Sequence, residues 1–384
     1  MLPHPSPAVL EYQRCRNLRG EALAFFGQGP IILQSRAEQS RAEQSRAEQS
    51  RAEQSRAEQS RAGNLCFVVM YHYVRELSYT RYPDIKGLTV PLFKEQIAYL
   101  QKYYHFVRVR DIIAAVYEEK SLPENAVWLT FDDGYADHYQ NVFPILDELG
   151  IEGAFFVPGK TVMEHKVLDV NKVHFVLASV KDVSNLLTDI YRLLDKYRDA
   201  YALESNDYYF QKLAKANRFD LKEVIFVKRL LQVELPEELR NIITDNLFRK
   251  YVSENEVAFA QELYMTEDQL RCMLRHGMYV GSHGYGHYWL DSLPREKQAD
   301  EVDRGLDFLK CIGSDTENWI MNYPYGAYNN SLIEIIRNRG CKLGLSTRVA
   351  VAELTKDNAF TLPRLDTNDL PKDRNAEFSP LSVR

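Results

Sequence analysis

Two periods of apolar residues run through this chain, and the switches between them organise it. Short runs dense in β-branched and aromatic residues recur at LCFVVMY (65–71), AVWLTF (126–131), EGAFFV (152–157), MYVGS (278–282), NWIMNY (318–323), CKLGLS (341–346) and AFTLPR (359–364). Runs this short and this continuous read as buried strands. Between most of them lie segments whose apolar positions return every three or four residues: 91–104, 139–150, 295–312 and 330–340. That spacing predicts amphipathic helices. Strands alternating with helices predict parallel βα units, and seven of them suit a barrel-like α/β fold. In such a fold the chemistry sits at the C-terminal ends of the strands.

The alternation stops between about 163 and 262. That segment reads as helices over 183–201, 221–232 and 236–252, with no strand of comparable strength. We expect a helical insertion above the barrel. It could cap a site, select a substrate, form an oligomer surface or merely decorate the fold. After it, Thr266 and Gln269 are spaced as a capping box. They open a helix that Gly277 closes just before the next strand.

The N-terminal end follows neither period. Residues 36–60 are five copies of RAEQS. Its residues favour helix, but a five-residue period drifts around a 3.6-residue turn and the unit holds nothing apolar larger than Ala. No buried face can form. Residues 1–63 are therefore expected to be a solvated helical or disordered extension, a spacer or a repeat expansion. The folded domain is expected over 64–384.

Composition narrows the partners. Hydrophobic residues make up 45% and charged residues 27%, a globular balance. A net charge of −6 argues against nucleic acid or an anionic membrane surface as the main partner. No run of 18 apolar residues exists, so no membrane span is expected. The five cysteines are odd in number, scattered, and without C-x-x-C spacing, which reads as reduced thiols in a cytosol. The absence of an export signal at the N-terminus points the same way.

Three strand ends carry the chemistry. TFDDGY (130–135) delivers two adjacent carboxylates, Asp132 and Asp133, which repel each other unless a cation takes the charge. GSHGYGH (281–287) places His283 and His287 four apart, a spacing at which two imidazoles can reach one metal ion. One carboxylate and two imidazoles make a three-ligand site with room for water, the pattern of a hydrolytic metal centre. The second carboxylate then remains free as a base.

TFDDGY, SHGYGH and YPYG, in this order and each at a strand end, resemble the polysaccharide deacetylase family, the NodB-homology domains of carbohydrate esterase family 4. The resemblance covers roughly 66–370, interrupted by the insertion. It implies a distorted (β/α) barrel that removes acetyl groups from sugars with zinc or another divalent ion. Asp132 then matches the catalytic base, and Asp133, His283 and His287 match the metal ligands. Tyr325 matches the tyrosine whose backbone N–H helps hold the oxyanion. Two positions depart from the family pattern. An arginine that pairs with the catalytic aspartate is replaced here by Asn322, and Arg364 is expected to reach Asp132 in its stead. No histidine follows His287, so the C-terminal general acid is missing. His72, in MYHYV (70–74), is expected to take that role, since imidazole can exchange protons near neutral pH. His138 is expected on the rim, and Tyr285, Tyr288 and Trp289 could stack on a sugar ring. The expected reaction is deacetylation of an N-acetylated sugar or glycan, with Zn2+ the first choice of metal. The alternatives are hydrolysis of a non-sugar amide or cyclic imide, or a catalytically silent carbohydrate-binding protein.

Overall fold

A computed structural model of the chain describes residues 64–215 and 221–378. The expectations for residues 1–63, the RAEQS block among them, lie outside the described residues. Among the described residues nine strands form one sheet: β1 (Leu65–Tyr71), β2 (His105–Phe106), β3 (Ala126–Phe131), β4 (Gly153–Val157), β5 (Tyr279–Ser282), β6 (Ile320–Asn322), β7 (Leu343–Leu345), β8 (Ala352–Glu353) and β9 (Leu365–Asp366). Their order is β7-β6-β5-β4-β3-β1-β8, with β2 added to β3 and β9 to β1. Every pairing is parallel except β1 with β8.

The sheet curls until its margins meet. Gly344 N–H donates to Ala359 O at 2.9 Å and Leu362 N–H to Gly344 O at 2.8 Å, along β7. Three residues later Leu365 pairs with Val69 of β1. Residues 359–366 therefore run from one margin to the other, and the distorted barrel is closed by an irregular segment. The run AFTLPR was expected to be a strand, and it serves as this bridge instead. Pro363 has no N–H for a ladder, so regular pairing begins only at Leu365.

The continuous apolar runs follow from burial on both faces. In β3 all six residues are buried. Val127, Leu129 and Phe131 belong to the outer cluster, which also takes in buried residues of helices Val90–Tyr103, Phe143–Leu149, Arg295–Ile312 and Asn330–Asn338. Ala126 and Trp128 point the other way, to meet Val68, Phe156, Ile320 and Leu345 inside the barrel. Val109, Ile112 and Ala115 of helix Val109–Tyr117 join this inner cluster. Each fully buried Val, Leu, Ile or Phe among them contributes about 1.5–3 kcal/mol relative to exposure.

Between β4 and β5 the described chain forms helices, including Asp169–Ser179, Val183–Tyr197, Glu237–Tyr251 and Glu256–Leu263. They close around a cluster of their own, with Phe175, Leu186, Ile190, Phe226, Leu230, Ile243 and Leu247 buried. That cluster also takes in Tyr73 and Tyr135, which follow β1 and β3. The capping box at Thr266 is present, its hydroxyl accepting from Gln269 N–H while the Gln269 side chain accepts from Thr266 N–H.

Candidate active site

The C-terminal ends of β1, β3, β5 and β6 bring His72, Asp132, Asp133, His283 and Asn322 to one end of the barrel. Asp133 Oδ1 lies 3.4 Å from His283 Nε2 and 3.2 Å from His287 Nε2. All three residues are buried. His283 Nδ1 is 2.7 Å from Asn322 O, an oxygen that can only accept. That bond keeps the proton on Nδ1 and turns the Nε2 lone pair toward Asp133. Burial pushes the His287 imidazole down, against the pull of Asp133, and so favours its neutral form. A carboxylate oxygen and two imidazole lone pairs facing a common point, within 4.8 Å of one another, fit a divalent cation.

Three site residues pay in backbone conformation. Asp133, His287 and Tyr325 have φ of +72°, +60° and +59°. The left-handed region costs a non-glycine residue about 1–2 kcal/mol, and such strain collects at functional sites. Gly134, beside Asp133, also has a positive φ, and a Cβ there would meet Val157 Cγ1 at 2.7 Å. Glu301 holds the histidine loop from below: its Oε2 accepts from the N–H groups of Tyr285 at 3.0 Å and Gly286 at 2.8 Å.

Arg364 reaches Asp132, as anticipated. Its guanidinium makes two parallel bonds, Nη1 to Oδ1 at 2.8 Å and Nη2 to Oδ2 at 2.9 Å. The arginine is 1% exposed and is fixed from behind by Ser346 O and the Thr130 hydroxyl. Asn322 Nδ2 adds a third bond, to Oδ1, at 2.7 Å. Burial alone would raise the Asp132 pKa, but Arg364 and the neighbouring imidazoles bring it down to about 2. Asp132 therefore carries its charge at any working pH.

His72 stands over the same carboxylate, its Nε2 3.9 Å from Asp132 Oδ2. Its side chain is 43% exposed, so it faces the open side of the site. The distance is too long for a direct hydrogen bond and leaves Oδ2 room for a reacting group. Tyr325 lies against His287: its ring is 4.8 Å from that of His287 and stacked on Trp289 at 4.4 Å. A narrow cleft runs outward from here. It is lined by His287, Tyr288, Trp289 and Tyr325, and by Asp169, Glu237 and Arg240 of the insertion.

His138 departs from expectation. It is fully buried and not on the rim, its Nε2 2.8 Å from His72 O. Tyr285 is also buried, its hydroxyl donating to Glu164 and its ring under Arg304. Asn322 was legible only as a missing charge; the structure makes it the link between His283 and Asp132. Glu301 carries a sequence signal of its own. It is an acid on the buried stripe of its helix, alongside Gln298, Val302 and Gly305.

Comparison with known proteins gives the family. The model of the family described as polysaccharide deacetylase matches residues 119–197 and 242–344. The chain belongs to the polysaccharide deacetylase family. YxkH of Bacillus subtilis (strain 168), a protein named as a polysaccharide deacetylase, is 18% identical over 287 residues, 74% of this chain and 65% of YxkH. The poly-β-1,6-N-acetyl-D-glucosamine N-deacetylase of Escherichia coli (strain K12) is 50% identical over 54 residues, 14% of this chain and 8% of that enzyme. This chain thus spans less than two thirds of the length of either relative. Among solved structures, the Streptococcus pyogenes deacetylase PplD with acetate has 17% identity and a TM-score of 0.49, covering 79% of this chain and 92% of its own. IcaB from Ammonifex degensii has 20% identity and a TM-score of 0.48, covering 80% and 93%.

Proposed function

We propose that this member of the family is a divalent-metal-dependent hydrolase that removes the acetyl group from an N-acetylated glycan. The observation that carries the reading is the convergence of Asp133, His283 and His287 beside an ion-paired Asp132. When bound by those three side chains, a divalent ion supplies Lewis acidity toward water and the acetyl oxygen. Zn2+ suits a set of two imidazoles and one carboxylate.

The chain's own groups do the proton work. Asp132 takes a proton from the attacking water through Oδ2, the oxygen that carries a single bond. Arg364 and Asn322 hold the carboxylate in place and keep it ionised. The C–N bond then breaks, and His72 gives its proton to the leaving nitrogen, so that acetate and a free amine result. The backbone N–H of Tyr325 is assigned to the developing oxyanion. Arg364 supplies the charge that Asn322 lacks, which supports an active enzyme over a silent binding protein. The substrate class rests on the family and on the relative named for an N-acetyl-D-glucosamine polymer. The cytosol is proposed as the compartment, in keeping with free thiols at Cys66, Cys272, Cys311 and Cys341.

The test is acetate release from a panel of N-acetylated oligosaccharides, with and without chelator. Release should require the ion, and His72→Asn should lower the rate sharply. Arg364→Ala should cost turnover and leave ion binding intact. Ion binding without acetate release from any glycan would shift the reading to a non-sugar amide.

A further inference from the structure

The metal-ligating carboxylate has a second oxygen, and the insertion holds it. Tyr135 donates its hydroxyl proton to Asp133 Oδ2 at 2.6 Å. Asn171, on helix Asp169–Ser179, donates through Nδ2 to the Tyr135 hydroxyl at 2.7 Å and to the Tyr73 hydroxyl at 2.9 Å. Its Oδ1 accepts from the Tyr264 hydroxyl at 2.5 Å, and that hydroxyl accepts from Leu168 N–H at 3.0 Å. Asn171, Tyr135 and Tyr264 are 0–2% exposed, and Tyr73 is 4%. Each bond fixes the direction of the next. Leu168 N–H sets the Tyr264 proton toward Asn171, which sets the amide, whose N–H group occupies the Tyr135 oxygen while the Tyr135 proton goes to Asp133. The backbone is tied at the same place, with Met265 N–H donating to Gly134 O at 2.9 Å and Tyr135 bridged to Tyr264.

We infer that Asn171 is a positioning residue of the metal site: through Tyr135 it pins Asp133 Oδ2, so that Oδ1 alone faces the two imidazoles. The insertion is then part of the site's support, beyond its place in the cleft wall. Partners that orient a ligating group in this way affect metal affinity by about 10–100-fold. The inference rests on the metal-dependent reading above.

The test measures the affinity of purified full-length protein for Zn2+ alone, by competition with a chromophoric chelator. The same variants are melted as chelator-treated protein. Tyr135→Phe keeps the ring stacked on Tyr73 at 4.1 Å and removes only the hydroxyl. Asn171→Leu keeps the volume and removes the relay. Both should lose Zn2+ affinity at least tenfold while the metal-free protein keeps its near-UV spectrum. A merely structural role would lower the melting temperature of the metal-free protein and leave the affinity of the folded fraction unchanged. Wild-type affinity in Tyr135→Phe overturns the inference, whatever Asn171→Leu does; should Asn171→Leu fail to fold, Tyr135→Phe decides alone. Absence of Zn2+ binding by the wild-type protein would overturn the metal-dependent reading itself, and this inference with it.

Discussion

His138 shows how one buried side chain ties stability to the site. Its ring contacts Phe131, Tyr135 and Phe155, and its Nε2–H donates to the carbonyl of His72. Burial, chiefly, lowers its pKa from 6.5 to about 4. In the unfolded chain the same imidazole titrates near 6.5. Between those values the unfolded state binds more protons than the folded state, so stability rises with pH across the window and falls on acidification. The full passage amounts to roughly 3 kcal/mol. Urea unfolding at pH 7, 5.5 and 4 should show that loss in the wild type, and His138→Gln should flatten it. Parallel slopes in the two proteins would remove His138 as the cause. At this scale the sequence was informative wherever adjacent residues act together: Asp132 with Asp133, and His283 with His287. Arg364 was legible because the missing arginine at Asn322 demanded a replacement. Asn171 was not, because its partners lie 36 and 98 residues away and no spacing announces such a meeting.

At the scale of elements, the turn after β3 decides where Asp133 points. Gly134 takes φ +71°, and its Cα faces Val157 of β4 at a distance that admits no methyl group. Gly134→Ala meets two penalties: about 1–2 kcal/mol for the left-handed conformation and about 1–3 kcal/mol for overpacking against β4. Urea unfolding should show a loss of a few kcal/mol, accompanied by weaker Zn2+ binding as Asp133 moves. A variant as stable as the wild type would mean that the turn is not constrained in this way. The larger elements were legible to within a few residues because their apolar periods match how they are buried. Helix Val109–Tyr117 was not. Its spacing of Val109, Ile112, Ala115 and Val116 is present, but it is short and begins inside the alternating VRVR of 107–110. The helix expected over 139–150 splits into a π-helical turn, His138–Val142, and a shorter α-helix, Phe143–Leu149. Pro144, near the start of the second piece, has no N–H to continue the first. The two-residue strands β2, β8 and β9 carry no period at all and exist only through their partners.

Across the whole molecule, the question is whether barrel and insertion melt as one body. The insertion has its own apolar cluster, large enough to suggest independence. Yet that cluster is completed by Tyr73 and Tyr135, whose neighbours in sequence are His72 and Asp133. Losing the insertion would uncover both loops of the site, and freeing those loops would open the insertion's core. A single cooperative transition is therefore expected, and an ion bound at Asp133, His283 and His287 should raise it as a unit. Binding to the folded state alone adds about 2.7 kcal/mol at a hundredfold excess over Kd, or about 4 °C for a chain of this size. The chain provides separate reporters. Its three tryptophans, Trp128, Trp289 and Trp319, all lie outside the insertion, whereas the insertion is helical. Tryptophan fluorescence thus follows the barrel, and ellipticity at 222 nm takes much of its signal from the insertion. The two melting curves should coincide, and chelation should shift both downward together. Curves that separate, with chelation moving only the fluorescence, would show that the insertion folds without the site and that the shared tyrosines do not couple them.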